Sequence, residues 1–271
     1  MCTNLPSRFA VAAALLLAPL PLAADGRPLR PDDVFALKDV SDPRLSPDGR
    51  QVAYAVASLD AKEDESDTDV YLVSMDGGEP LRLTSGKKEE SSPRFSPNGE
   101  WIAFISDREG KKKQVYLLSR KGGEAAKLTD YKASVSELAW SPDSRRLALV
   151  VSAVAPYAEE EDEEKDGGKK KTPKPIVLRR LQFKRDGEGY LRDVRKHVHV
   201  FDVEKKTSVQ VTSGPFDDVS PTWSPDGKAI AFVSNRTLPD PDRSQNADVF
   251  VVAAREGEVP RAVATGPGED S

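Results

Sequence analysis

One five-residue turn is written four times along this chain: LSPDG at 45–49, FSPNG at 95–99, WSPDS at 140–144 and WSPDG at 223–227. Its serines, Ser46, Ser96, Ser141 and Ser224, are spaced 50, 45 and 83 residues apart. Each follows a large apolar residue, and Pro43, Pro93 and Pro221 stand three before it in three copies, with Leu138 in the fourth. An apolar run comes after every turn (Val52-Ala53-Tyr54, Ile102-Ala103-Phe104, Leu147-Ala148-Leu149, Ile230-Ala231-Phe232), and a second run lies further on, beginning at Val70, Val115, Val198 and Val249. The copies close on Thr84, Thr129, Thr212 and Thr265. Four short strands at such a period cannot cover both faces of their own sheet. Neighbouring copies must therefore stack, which is the logic of a β-propeller blade.

The turn itself has a local explanation. Proline presets φ for the first central position, Asp or Asn suits the second, and Gly takes the left-handed conformation that lets the hairpin close. Ser144 stands where the other copies have Gly, at an expected cost of about 1 kcal/mol. The repeated serine is thus read as a turn hydroxyl and not as a nucleophile. Helical periodicity is nearly absent, the one helix candidate being residues 31–38, with proline at the first turn. The fold class is all-β: four four-stranded repeats at about 41–86, 91–130, 135–214 and 218–266. The third carries an insertion at 156–196. Its acidic run at 159–166 and the lysines after it read as a solvated loop, and residues 175–190 as strand plus turn.

Residues 1–24 combine a basic start, an apolar centre and small residues at the end, as a secretory signal does, with a membrane-anchored start as the alternative. The apolar stretch is short and interrupted by prolines, so no membrane span is expected after signal removal. Cys2, the one cysteine, would leave with the signal, so neither disulfide nor thiol chemistry is expected. The location expected is periplasmic or secreted. With 40 Lys and Arg against 45 Asp and Glu, the net charge of −5 argues against nucleic-acid binding.

No G-x-S-x-G pentapeptide, P-loop or cysteine pair occurs. His197 and His199 lie two apart on a strand, expected to face the same way, but spacing indicates no third metal ligand. Asp240, Asp242, Ser244, Asn246 and Asp248 imitate the alternating rhythm of a calcium loop. Gln245 stands where glycine is required, however, and no glutamate closes the loop, so a polar inter-strand loop is expected. Asn235-Arg236-Thr237 has the form of a glycosylation acceptor. No residue is assigned a catalytic, cofactor-binding or metal-binding role.

Two stretches carry a family resemblance. DDVFALKDVSDPRLSPDGRQVAYAV (32–56) and KPIVLRRLQFKRDGEGYLRDVRKHVHVFDV (174–203) resemble the N-terminal propeller of prolyl oligopeptidase-family serine peptidases of the bacterial dipeptidyl- and acylaminoacyl-peptidase kind. The repeats are also similar to the Tol-system periplasmic propeller. The peptidase resemblance implies a propeller of seven or eight blades that caps an α/β-hydrolase domain and admits short peptides to a Ser-Asp-His triad. No residue here matches that triad. The expectation is a substrate-gating propeller segment, inactive by itself, whose partners are the further blades and the hydrolase segment. Its terminal sheets should expose a face containing Val249, Phe250 and Val251. The alternative is a stand-alone periplasmic propeller that binds other proteins.

Overall fold

The computed structural model describes residues 27–268 apart from 29, 61, 63–64, 87, 111, 154–177, 179, 187–188, 192–193 and 267. The proposed signal and the charged runs of the insertion lie outside the described residues. The chain divides into two units, residues 1–34 and 35–271. In the first, Arg27 forms an ion pair with Asp33, whose carboxylate also accepts the Arg30 N–H. The expected helix is a short 3₁₀ turn, Pro31–Ala36.

The second unit is built from antiparallel sheets. The first contains β1 (Lys38–Leu45), β2 (Gln51–Asp60), β3 (Glu65–Ser74) and β4 (Leu81–Arg82). The second contains β5 (Glu90–Phe95), β6 (Trp101–Ser106), β7 (Gln114–Ser119) and β8 (Ala126–Lys127). In the third, β9 (Val135–Trp140) and β10 (Arg146–Ala153) are followed by a small hairpin, β11 (Lys184–Arg185) and β12 (Gly189–Tyr190), before β13 (Arg195–Asp202) and β14 (Thr207–Gln210) complete the sheet. The fourth contains β15 (Asp218–Trp223), β16 (Ala229–Ser234), β17 (Asp248–Ala253) and β18 (Arg261–Ala264). Four four-stranded meanders are the blades the repeat predicts, and the hairpin is the strand-plus-turn expected of the insertion.

Each repeated turn joins a blade's first and second strands. The fifth residue, Gly49, Gly99, Ser144 or Gly227, donates its N–H to the serine carbonyl at 2.8–2.9 Å in all four copies. The serine hydroxyl donates to the side chain two residues on, Asp48, Asn98, Asp143 or Asp226. It also accepts the N–H of Gln51, Trp101, Arg146 or Ala229, where the second strand begins. Gly49, Gly99 and Gly227 take φ of 70°, 72° and 67°, and Ser144 follows them at 59°. The expected strain at Ser144 has an offset: its hydroxyl accepts the Asn98 N–H from the second blade's turn at 3.0 Å, a bond glycine could not make.

Sheets pack in chain order. Phe104, Tyr116 and Leu118 of the second blade close over Val70 of the first. Its Ala103, Ile105 and Val115 form a cluster with Val135, Leu138, Leu147, Leu149, Val151 and Phe201 of the third. Ala148, Val198 and Val200 then meet Trp223, Ile230, Phe232, Phe250 and Val252 of the fourth. Alternation along each strand sends one set of side chains back and the other forward. One expectation is corrected by this register. Phe250 is buried against the third blade, while Val249 and Val251, on the opposite face, are only half-buried.

Three of the four closing threonines share a structural task. Thr84, Thr129 and Thr212 accept the N–H of Val70, Val115 and Val198 at 2.8–2.9 Å. Thr265 departs from this pattern and is exposed, and Asp248 accepts the Gly266 N–H in that region.

The turns yield a paired prediction. A Cβ at Gly227 would lie 3.2 Å from Arg146 Nη2, whose guanidinium donates to the Gly227 carbonyl and lies over the Trp223 ring. Gly227→Val should therefore destabilise the chain by about 2–3 kcal/mol. Ser144→Gly should stay within about 1 kcal/mol of the parent, because relief of Cβ strain and loss of the Asn98 bond are of similar size. Urea unfolding of the two variants checks both values.

Candidate functional site

Buried arginine–carboxylate pairs stand at two blade junctions, each within one blade, and their arrangement repeats. Where the first blade meets the second, Arg108 donates to the buried Glu90 at 2.8 Å, its guanidinium lying 5.2 Å from the Phe104 ring centre and 4.8 Å from that of Tyr116. Where the third meets the fourth, Arg236 donates to the buried Asp218 at 2.8 Å and lies over Phe232, Phe250 and Phe216 at 5.4, 5.1 and 4.8 Å. Ion pairing and aromatic faces together satisfy a guanidinium that has left water. Both arginines follow a buried strand-end serine by two residues, Ser106-Asp107-Arg108 and Ser234-Asn235-Arg236. This S-[DN]-R motif was visible in the sequence, yet turn chemistry and apolar periodicity do not single it out. Between the second and third blades Val135 and Val151 stand in an apolar contact, and Gln114 makes the polar link, donating to the Tyr131 and Ala133 carbonyls.

The sequence candidates are absorbed by these structures. All four turn serines have both hydroxyl functions engaged within their own turns, as a structural role requires. His197 Nδ1 lies 3.3 Å from Asp218 Oδ2, whereas the His199 ring meets Tyr131 edge-on at 5.7 Å. The two histidines share no ligand set, and among the described residues no group of three or more His, Cys, Asp or Glu is arranged to hold a metal. Ser234, Asp218 and His197 cluster, but Asp218 bonds the histidine while no serine hydroxyl bonds either histidine among the described residues, and Ser234 is 1% exposed. A nucleophile needs a base on its hydroxyl and access to substrate. Ser234 has neither.

The calcium-like rhythm resolves into turns. Asp240 accepts the Asp242 N–H, Ser244 accepts that of Asn246, and Asn246 donates to Asp248. Asn235 donates its amide to the Pro241 and Ser244 carbonyls at 2.8 and 2.6 Å, so the glycosylation-like triplet holds this loop in place.

A cavity of about 610 Å³ opens between the third and fourth blades beneath the insertion hairpin. Arg180, brought back by the insertion, donates to both oxygens of Asp242 at 3.2 and 3.0 Å and lies 3.5 Å from Asp217. Arg195 reaches Asp217 at 3.3 Å and Asp242 at 3.5 Å. Arg180 and Asp242 side chains are 7% and 4% exposed, so these charges are committed to one another. Burial would lower the Arg180 pKa, but the Asp242 hydrogen bond and the nearby carboxylates outweigh it and hold the group above its ordinary value. Burial likewise pushes the Asp242 carboxyl up, and its arginine partners bring it below the ordinary range. Tyr190, Leu191, Lys196, Gln182 and Gln245 complete much of the wall.

Residues 65–188 match the family model of the Tricorn protease N-terminal β-propeller domain. The chain is 34% identical over 221 residues to YuxL, an uncharacterised peptidase of Bacillus subtilis (strain 168), covering 82% of this chain and 33% of that protein. It is 33% identical over 85 residues to dipeptidyl-peptidase 5 of Porphyromonas gingivalis, covering 31% of this chain and 12% of that one. The chain is homologous to the propeller part of peptidase-family proteins. Its fold is that of acylaminoacyl peptidase from Pyrococcus horikoshii, with a TM-score of 0.64 at 20% identity over 85% of this chain and 33% of that one. The chain thus spans about a third of YuxL's length and a smaller share of dipeptidyl-peptidase 5.

The buried groups of this propeller predict two separable acid limbs. Burial and the neighbouring His197 push the His199 pKa down from 6.5 to about 4. The unfolded chain then binds a proton before the folded one, and stability falls as pH drops through that window. Burial alone would raise the Asp218 carboxyl, but its bonds to His197 and the Arg236 charge hold it below its ordinary value. Its contribution is present above the unfolded carboxylate range and is lost as pH falls through the lower folded value. His199→Phe should flatten the limb between 6.5 and about 4. Asp218→Asn should flatten the more acidic limb and cost about 3–5 kcal/mol at neutral pH by orphaning Arg236. Urea melts across the acid range distinguish the two.

Proposed function

We propose that this propeller segment gates substrate entry in a secreted or periplasmic serine peptidase of the prolyl oligopeptidase family, with the hydrolytic chemistry supplied outside these residues. The homology to YuxL carries this reading, because it extends over most of the chain and covers only a third of the relative. Two structural features support it. Ala231, Val233, Val249 and Val251 form a half-buried apolar face on the fourth blade, and Val40 and Leu45 are 61% and 58% exposed on the first. Such faces suit cover by further blades of the same repeat, since a propeller protects its sheet edges and faces by continuing round. Among the described residues, moreover, no serine, histidine and carboxylate stand in nucleophile, base and orienter order.

A gate sorts by size. The peptidase bearing this propeller should hydrolyse tripeptide chromogenic substrates and leave unfolded casein intact. Residues 25–271 alone should show neither turnover nor labelling by a fluorophosphonate, since no activated nucleophile stands among the described residues. Labelling of one serine at unit stoichiometry would overturn the gating assignment, as would equal cleavage of casein and tripeptides by the whole enzyme.

A further inference from the structure

We infer that the cavity between the third and fourth blades receives the free C-terminal carboxylate of a peptide ending in an apolar residue, with Lys196 as the charge partner. The inference rests on the gating reading and names the substrate feature recognised.

The cavity's charges decide which anion or cation it suits. Arg180 and Arg195 are matched by Asp217 and Asp242, two positive groups against two negative ones. Lys196 lines the same space, its backbone N–H donating to Asp217 at 2.9 Å. Its ammonium has no acidic partner among the described residues. A partly enclosed site with one uncommitted cation beside a neutralised network attracts an anion. A peptide offers two charged ends. Its N-terminal ammonium would need a free carboxylate, and both carboxylates here already hold arginines. Its C-terminal carboxylate needs a free donor, which Lys196 provides as a charge-assisted hydrogen bond.

The walls fit the rest of such a ligand. Gln182 and Gln245 also line the cavity, with side chains that have no intramolecular partner among the described residues, and their amides match the hydrogen-bonding groups of a peptide. On the hairpin side Tyr190 and Leu191 form the lining, with Phe183 exposed on the same hairpin. At about 610 Å³ the space falls within the range of pockets that enclose small ligands.

Calorimetry on the full chain provides the test, with N-acetyl-Ala-Ala-Phe bearing a free carboxylate, the same peptide as its C-terminal amide, and inorganic phosphate. The free acid should bind about tenfold or more tightly than the amide, the range expected of a hydrogen bond to a charged group. Lys196→Met should reduce the acid to the amide's affinity while leaving amide binding and the melting temperature unchanged. Equal binding of acid and amide by the parent chain would overturn carboxylate recognition and leave gating intact. Phosphate binding as tight as that of the acid would overturn it in favour of a general anion site, and absence of binding by every probe would overturn it outright. Failure of the gating reading shows elsewhere, in the casein and tripeptide comparison.

Discussion

A single four-stranded sheet has two apolar faces and no way to cover either one itself, and every other feature here depends on that. Burying apolar surface gains roughly 25 cal/mol per Å², so the favoured arrangement is one sheet's forward face against the next sheet's backward face. The alternation along β6 and β7 makes this concrete. Phe104 and Tyr116 meet the first blade while Ala103, Ile105 and Val115 meet the third. Small and large residues are divided between the faces. Ala103 and Ala148 lie within inter-blade clusters, where their size suits close approach of the next sheet, and the rings of Phe104 and Phe232 fill the opposite side.

Apolar burial fixes that blades stack but not their lateral register, because an apolar face tolerates sliding. Directional bonds supply the register. Trp140 donates its indole N–H to the Arg94 carbonyl and Trp223 donates to that of Ala139, both at 3.1 Å, each linking a first strand to the one before it. Arg94 pairs with Asp42 at 2.6 Å at the remaining junction, where Phe95 has no indole. The buried arginine–carboxylate pairs stand at the opposite strand ends. Each pair joins residues of one blade and costs desolvation, and Asp218 adds a bond across to His197 of the third blade, so slippage there would leave a buried carboxylate short of a partner.

The sequence exposes these two layers unequally. Turn, strand order and blade count were legible because Pro, Asp and Gly are selected by local backbone geometry, and because side chains alternate with period two. Even Ser144, the exception, took the left-handed conformation its position required. The buried arginine–carboxylate pairs were not legible. Whether Arg108 is a solvated surface residue or a buried strut depends on Phe104, Tyr116 and Glu90 converging from three strands, and no local rule places them together. For the same reason Phe250 could be assigned to a strand but not to the correct face: adjacent positions point oppositely, and only the packed neighbour settles which side is inward.

The repeat breaks in the third blade, and the cavity lies beside the insertion that follows the break. In the second and fourth blades the second strand ends on Ser-x-Arg, and the arginine folds back over its own blade's aromatic rings to its own blade's first carboxylate. In the third blade the corresponding pair is Val151 against Val135, and Ala153 stands two residues on, where the other two blades have arginine. The chain instead returns Arg180 from the insertion, and that guanidinium bonds Asp217 and Asp242 of the following region. The space beside β13 opens next to the insertion hairpin, and Lys196 lines it with no acidic partner for its ammonium among the described residues.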